Sequence, residues 1–278
     1  MDQTTATKAA IPKDYKSDYK PIWCPGCGDF AVLNATTKAL AFMELPREEV
    51  ALITGIGCAG RIAGYTSLYG FHGVHGRALA MGAGLKAARP DLTVLVAGGD
   101  GDGLSIGGNH FIHACRRNMN LTYIMMDNEV YGMTKGQASP TTAADWEQSK
   151  LTPHGTGIRP FNPAILALSA GASFVARGFS GDPNGLARML VEAIEHPGFS
   201  FVQVLSPCPT FRPEQMQWKR QVRVFEETCT DDPILAAQRI QADDGMSIGV
   251  IIRREYAVFQ PRGTGAADLE SIEQEFVI

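Results

Sequence analysis

Two polar runs in the middle of this chain, each placed directly after an apolar one, leave few folds open to it. GGDGDG at 98–103 follows the apolar run TVLVA at 93–97, and DNEVYG at 127–132 follows LTYIMM at 121–126. Uninterrupted apolar runs this short read as strands buried on both faces. Between them, residues 105–118 have the spacing and length of a helix, so the unit reads strand, helix, strand. A right-handed crossover makes such strands parallel and puts both polar runs at their carboxyl ends, where open α/β sheets bind ligands. The expected fold is α/β, a mostly parallel sheet flanked by helices.

The two runs carry matching chemistry. Asp100 is a hard carboxylate followed by glycine, so little bulk blocks a phosphate. Asn128 offers a second hard oxygen and the Val130 carbonyl a third. Three protein oxygens, two phosphate oxygens and water complete the octahedron that Mg²⁺ demands. Gly and Asp clusters after strands are common turn formers, but two such runs on consecutive strands read as a metal–diphosphate clamp.

GDG followed by DNEVYGMT resembles the thiamine diphosphate site of the 2-oxoacid:ferredoxin oxidoreductases, in their β subunit. The resemblance runs from about Trp23 to Pro209 and includes WCPGCGDF, GIGCAGR, YGFHGVHGRA, GGDGDGLSIGGNHFIHACRRN, YGMTKGQASPTT and SPCPTF. It implies a thiamine diphosphate-binding fold with Asp100, Asn128 and the Val130 carbonyl on Mg²⁺. Cofactor contacts are implied for Ile56, Gly57, Cys58, Ala59 and His75. The same holds for Gly101, Asp102, Gly132, Met133 and Thr134.

Six cysteines in a chain with no apolar signal core in its first twenty residues point to metal or redox chemistry sooner than to disulfides. Cys24 and Cys27 form a C-P-G-C hook, preceded by a polar arm rather than by the strand a thioredoxin-like pair requires. Cys58 lies in a glycine loop and Cys208 between prolines, both after apolar runs and so at the same sheet edge. Cys115 falls on the apolar face of a helix, where packing is its ordinary role, and Cys229 lies in the tail. By elimination the ligand set is Cys24, Cys27, Cys58 and Cys208. Four thiolates suit Zn²⁺ or a 4Fe-4S cluster equally, and only the family resemblance selects one 4Fe-4S cluster.

GIGCAG at 55–60 is formally a dinucleotide fingerprint, yet no Asp or Glu lies between Glu49 and Asp91 to meet a ribose. The resemblance instead places this loop on thiamine diphosphate, with Cys58 also on the cluster. His72, His75 and Arg77 stand in a stretch without acids, suited to a diphosphate, to a CoA phosphate or to structural roles. His110 and His113 read as packing, Asp102 as a cap for the following helix, and Asp29 as the N-cap of a helix reaching Met43.

A net charge of −4 without any Lys/Arg block argues against nucleic acid, and no apolar run approaches a membrane span. A cytoplasmic location is the expectation. An arm (1–22), a thiamine diphosphate and cluster domain (23–212) and a C-terminal extension (213–278) are the expected divisions. Strands are expected at 50–54, 199–205 and 248–252, helices at 78–88 and after Asn162-Pro163 and Asp182-Pro183, and a long functional loop at 134–161.

Membership of the family implies oxidative decarboxylation of a 2-oxoacid, with CoA taking the acyl group and ferredoxin the electrons. It also implies an α subunit that completes the site, in a dimer of αβ heterodimers. Arg61 and Lys135 are candidate substrate cations alongside His75, and relatives often carry glycine where Lys135 stands. A dicarboxylate needs one anion contact more than pyruvate, so 2-oxoglutarate is the expected substrate, with Arg61 meeting its distal carboxylate. Pyruvate or a broad range of 2-oxoacids is the alternative within the family. A non-oxidative thiamine decarboxylase and a zinc-stabilised subunit without catalysis are the alternatives outside it.

Overall fold

The computed structural model describes residues 9–227 and 229–260. The first part of the expected arm (1–8) and the end of the expected extension (261–278) lie outside the described residues. The strands are β1 (Val50–Thr54), β2 (Tyr69–His72), β3 (Thr93–Gly99), β4 (Leu121–Asp127), β5 (Phe174–Phe179), β6 (Phe199–Leu205), β7 (Arg223–Val224) and β8 (Ser247–Arg253). They form one sheet in the order β2-β1-β3-β4-β6-β5-β8-β7. Every neighbouring pair is parallel except β5 with β8.

The helices are α1 (Asp29–Phe42), α2 (Ala78–Ala88), α3 (Asp100–Leu104), α4 (Gly108–Arg117), α5 (Pro163–Ser169), α6 (Pro183–Glu195), α7 (Trp218–Gln221) and α8 (Pro233–Ala242). They cover both faces of the sheet, and so β4 and β6 at its centre are buried at every position. Leu95 and Ala97 of β3 face a core shared with Val32 and Leu40 of α1 and Leu190 of α6. Val94 and Val96 face the opposite core, with Phe111 and Cys115 of α4, Ala164 of α5 and Ile240 of α8. Asn162 and Asp182 do cap their helices, accepting from the Ile165 and Gly185 amides at 3.2 and 2.9 Å, each with proline at the first helical position.

The structure differs from the sequence reading at several points. The helix expected at 105–118 is α4, which begins at Gly108, and a separate short helix, α3, forms ahead of it inside the GDGDG run. A Cβ on Gly107 would lie 2.5 Å from the Asp102 carbonyl, so the two helices meet too closely for a side chain there. Asp29 is no cap: Gly28 holds that position, and the Asp29 carboxylate turns inward to accept from Ser206 Oγ at 2.9 Å. The charged stretch after Pro213 is a 3-10 turn, the short α7 and, after a loop, α8. β8 then lies antiparallel to β5, so this part of the chain joins the main sheet. β2, β5 and the two-residue β7 had no counterpart in the sequence reading.

Candidate active site

Parallel alignment brings the ends of β1, β3, β4 and β6 to one edge. The loops after β1, β3 and β4, with His75 from the loop after β2, line a cleft there. Ile56, Gly57, Cys58 and Ala59 line it from the β1 loop, and Asp100, Gly101 and Asp102 from α3. Asn128, Val130, Gly132, Met133 and Thr134 close it from the β4 loop, with His75 at the rim. Arg61 and Lys135 do not line it. Arg61 sits half-buried in the 3-10 turn Ala59–Tyr65, and Lys135 is exposed in the turn that follows Gly132. Lys135 has φ +86°, the left-handed region that glycine enters most easily.

Close packing explains the glycines. A Cβ on Gly55 would lie 2.0 Å from Asp102 Oδ2, and one on Gly101 would lie 2.3 Å from the Tyr131 ring. Asp102 is the organiser of this wall. Its Oδ1 accepts from the amides of Ile56 at 2.9 Å and Gly76 at 2.8 Å, and lies 3.1 Å from His75 Nδ1. The carboxylate thus ties the β1 loop, the β2 loop and α3 together instead of capping a helix. Asp102→Ala strands two amides and is expected to destabilise the fold by about 3 kcal/mol, measured as a lower urea midpoint at an unchanged slope. Of the other basic residues in this region, His72 is structural, its Nδ1 meeting the Gly60 carbonyl at 2.7 Å and Thr54 Oγ1 at 3.1 Å. Arg77 donates to the Ile106 carbonyl at 3.1 Å.

Two buried carboxyl groups meet at the floor of the cleft. Asp100 and Asp127 are both fully buried, and Thr141 Oγ1 stands 2.7 Å from Asp100 Oδ2 and 2.9 Å from Asp127 Oδ1. One hydroxyl proton serves only one of the two carboxylates at a time. Burial, followed by the charge of Asp127, pushes the Asp100 carboxyl up to about 7. A divalent cation relieves this repulsion, and the donors here are hard oxygens, so the residues fit Mg²⁺ with a diphosphate. The Asn128–Val130 loop is held in place by several bonds. Asn128 Oδ1 accepts from the Val130 amide at 3.1 Å, Glu129 has φ +54°, and the Arg212 guanidinium donates to the Glu129 carbonyl at 2.8 Å and to its carboxylate at 2.8 Å. Arg212 itself stacks 4.5 Å over the Trp146 ring.

Beside the cleft the four expected cysteines converge. Cys27 N–H donates to the Cys24 carbonyl at 3.0 Å, making the C-P-G-C hook a turn, and Gly28 N–H donates to the Pro207 carbonyl at 3.1 Å. Trp23 Nε1 donates to the Cys58 carbonyl at 2.8 Å, which ties the hook to the β1 loop. Burial, with Asp29 next, raises the thiol of Cys27, and the same two causes bring Cys58 up to about 11, opposed by Arg61. Burial also raises Cys208. Thiolates in so desolvated a place require strong cationic compensation, which bound metal supplies. Among the described residues no three His, Cys, Asp or Glu side chains are grouped to hold one metal ion. Cys115 is fully buried on α4 and Cys229 is exposed.

Sequence reasoning missed Asp127, Thr141, Tyr131, Asp29, Arg212 and Gln215. Asp127 ends β4 and Tyr131 donates to the Gly101 carbonyl at 3.1 Å, both inside a run already singled out. Thr141 comes from the long loop, and nothing local in its sequence marks it.

Comparison with known proteins agrees with this geometry. Residues 55–204 match the family described as thiamine pyrophosphate enzyme, C-terminal TPP binding domain. The 2-oxoglutarate oxidoreductase subunit KorB of Mycobacterium tuberculosis is 50% identical over 199 residues, covering 72% of this chain and 53% of the relative. The chain thus spans about half the length of that relative. The 2-oxoacid:ferredoxin oxidoreductase 2 subunit beta of Aeropyrum pernix is 38% identical, over 86% of this chain and 82% of the relative. A solved 2-oxoglutarate:ferredoxin oxidoreductase from Magnetococcus marinus, with 2-oxoglutarate, coenzyme A and succinyl-CoA bound, superposes with a TM-score of 0.90 at 36% identity. That match covers 99% of this chain and 98% of the other. The chain belongs to the thiamine pyrophosphate enzymes, among the β subunits of the 2-oxoacid:ferredoxin oxidoreductases.

Proposed function

We propose that this chain is the cofactor-bearing subunit of an enzyme that converts 2-oxoglutarate and CoA to succinyl-CoA and CO₂. The two electrons released would leave through one 4Fe-4S cluster to ferredoxin, and the same machinery serves the reverse carboxylation. The observation that carries this reading is a shared wall. Gly132 and Cys58 line the cleft, and a Cβ on Gly132 would lie 3.8 Å from both Cys58 Sγ and Cys208 Sγ. The cofactor cleft and the thiol site are thus separated by a glycine and one cysteine, the arrangement electron transfer requires.

Thiamine diphosphate, when bound, supplies the electron sink for loss of CO₂. Asp100, Asn128 and the Val130 carbonyl would hold Mg²⁺ against its diphosphate, with Thr141 and Asp127 fixing the orientation of Asp100. Cys24, Cys27, Cys58 and Cys208 would hold the cluster. Among the described residues, the acids lining the cleft are Asp100 and Asp102, engaged with the Asp127–Thr141 pair and with the β1 and β2 loops. The carboxylate that activates the aminopyrimidine would therefore come from an α subunit across an interface, in a dimer of αβ heterodimers. No helix among the described residues is long and apolar enough to cross a membrane, and a cytoplasmic enzyme is proposed.

Arg61, next to the Cys58 loop, is the candidate for the distal carboxylate of 2-oxoglutarate, and Lys135 for CoA or substrate. Arg61→Ala is expected to lower kcat/KM for 2-oxoglutarate by about 100-fold, as a charged hydrogen bond in a closed site is lost. Pyruvate, lacking the distal group, should be nearly unaffected and remain the poorer substrate in the wild type. A wild-type preference for pyruvate, or equal losses on both substrates, rejects this assignment. Iron and acid-labile sulfide analysis with a bound-thiamine assay tests the reading as a whole. Thiamine without iron and sulfide would point to a non-oxidative decarboxylase, and zinc without thiamine to a structural subunit.

A further inference from the structure

We infer that Gln215 is a positioning residue that couples occupancy of the thiol site to occupancy of the cation–diphosphate site. This inference rests on the function proposed above. Gln215 is 1% exposed and lies in the 3-10 turn Pro213–Gln217, in the part of the chain the sequence reading set apart as an extension. Its Oε1 accepts from the Cys208 amide at 3.0 Å, and its Nε2 donates to the Asn128 carbonyl at 2.8 Å. One side chain thus bridges the backbone of a candidate cluster ligand and that of a candidate metal ligand. The orientation of its amide is fixed by the partners, because an N–H needs the oxygen and a carbonyl needs the NH₂.

The bridge has a parallel strut. Arg212 N–H donates to the Cys208 carbonyl at 2.8 Å while its guanidinium holds Glu129, between Asn128 and Val130. These contacts link the two loops through groups buried away from water, where an unmade hydrogen bond is costly. A shift of the Cys208 loop on taking up metal must therefore pass to the Asn128 loop, or break the bridge. Coupling of this kind is reciprocal, so either ligand changes affinity for the other by the same factor.

The test is the Kd of thiamine diphosphate with Mg²⁺, measured by calorimetry on the enzyme as isolated and on the same preparation after chelation of its iron. In the wild type, iron is expected to tighten binding by about fivefold or more. In Gln215→Met, which keeps the volume but loses both bonds and leaves only the Arg212 strut, the ratio of the two constants should fall clearly below the wild-type value while binding itself persists. Gln215→Glu keeps an acceptor for Cys208 but sets a carboxylate against the Asn128 carbonyl, and should lower the ratio too. This second variant serves if the first does not fold. A purely structural glutamine would weaken both constants equally and leave the ratio unchanged. That outcome, or a wild-type ratio of one, overturns the bridge and leaves the functional reading standing. A wild type that binds neither iron nor thiamine diphosphate overturns both.

Discussion

Asp100→Ala is expected to weaken Mg²⁺-dependent thiamine diphosphate binding by more than about 100-fold, since loss of a mere outer-shell partner already costs 10–100-fold at a metal site. The size of the effect follows from where Asp100 sits. It is the first residue of α3, fully buried, and the charged member of the proposed ligand set of Asp100, Asn128 and the Val130 carbonyl. The fold should survive. The substitution also removes one charge from a desolvated like-charge pair with Asp127 and leaves the Thr141 hydroxyl free to serve the other. The thermal midpoint without cofactor is therefore expected to hold or rise, while the stabilisation conferred by added cofactor and Mg²⁺ disappears. Calorimetric binding and thermal shift with and without ligand check both halves. Normal affinity in the variant would sink the metal assignment, whereas a collapse of the cofactor-free midpoint would make Asp100 structural.

The second large effect concerns the cysteines. Cys58→Ser and Cys208→Ser should each abolish the visible absorbance and acid-labile sulfide of the isolated enzyme, because each removes one of four thiolates. Cys115→Ser should keep both. Cys115 lies in the apolar core with Phe111, and burial alone raises its thiol, so a hydroxyl there is expected to cost stability rather than iron. Cys229→Ser should likewise keep iron and sulfide, as that thiol is exposed in the tail. Iron-to-protein ratios for the four variants decide the matter. Iron loss in a folded Cys115 variant would overturn the ligand set.

Most of what positions the site could be read from short-range pattern. β1 and β6 carry the bounds expected for them, and α2 ends before Pro90 as the proline requires. The strands that escaped notice have physical reasons. β5 reads FVARGF, and its fully buried Arg177 looks like a surface residue until Asp243 and Gln203 are seen to pair with it. β2 is exposed at all four positions, so no burial pattern marks it. The candidate ligands were legible because metal chemistry restricts residue type and spacing. Thr141, Arg212 and Gln215 were not, because a residue that steadies a ligand from a distant loop needs only a hydrogen bond and a place to reach from. Asp102 illustrates the same limit, its acid visible in GDGD but its three partners lying on other segments.

The order of the strands has a dynamic consequence. β3, β4 and β6 each have a neighbour on both sides and helices on both faces, whereas β2 and the two-residue β7 close the sheet at its ends. Partial opening of such a sheet begins at its margins, where fewest hydrogen bonds and least buried surface are lost. The strands that lead to Asp100, Asn128 and Cys208 are therefore expected to exchange their amide protons only in the deepest unfolding events. The segment from Arg212 through the turn that holds Gln215 runs on through α7 into β7, which lies at the margin. Fraying there would release the grip between the two loops long before either loop lost its foundation, leaving a protein that retains both binding sites but no longer holds them in register.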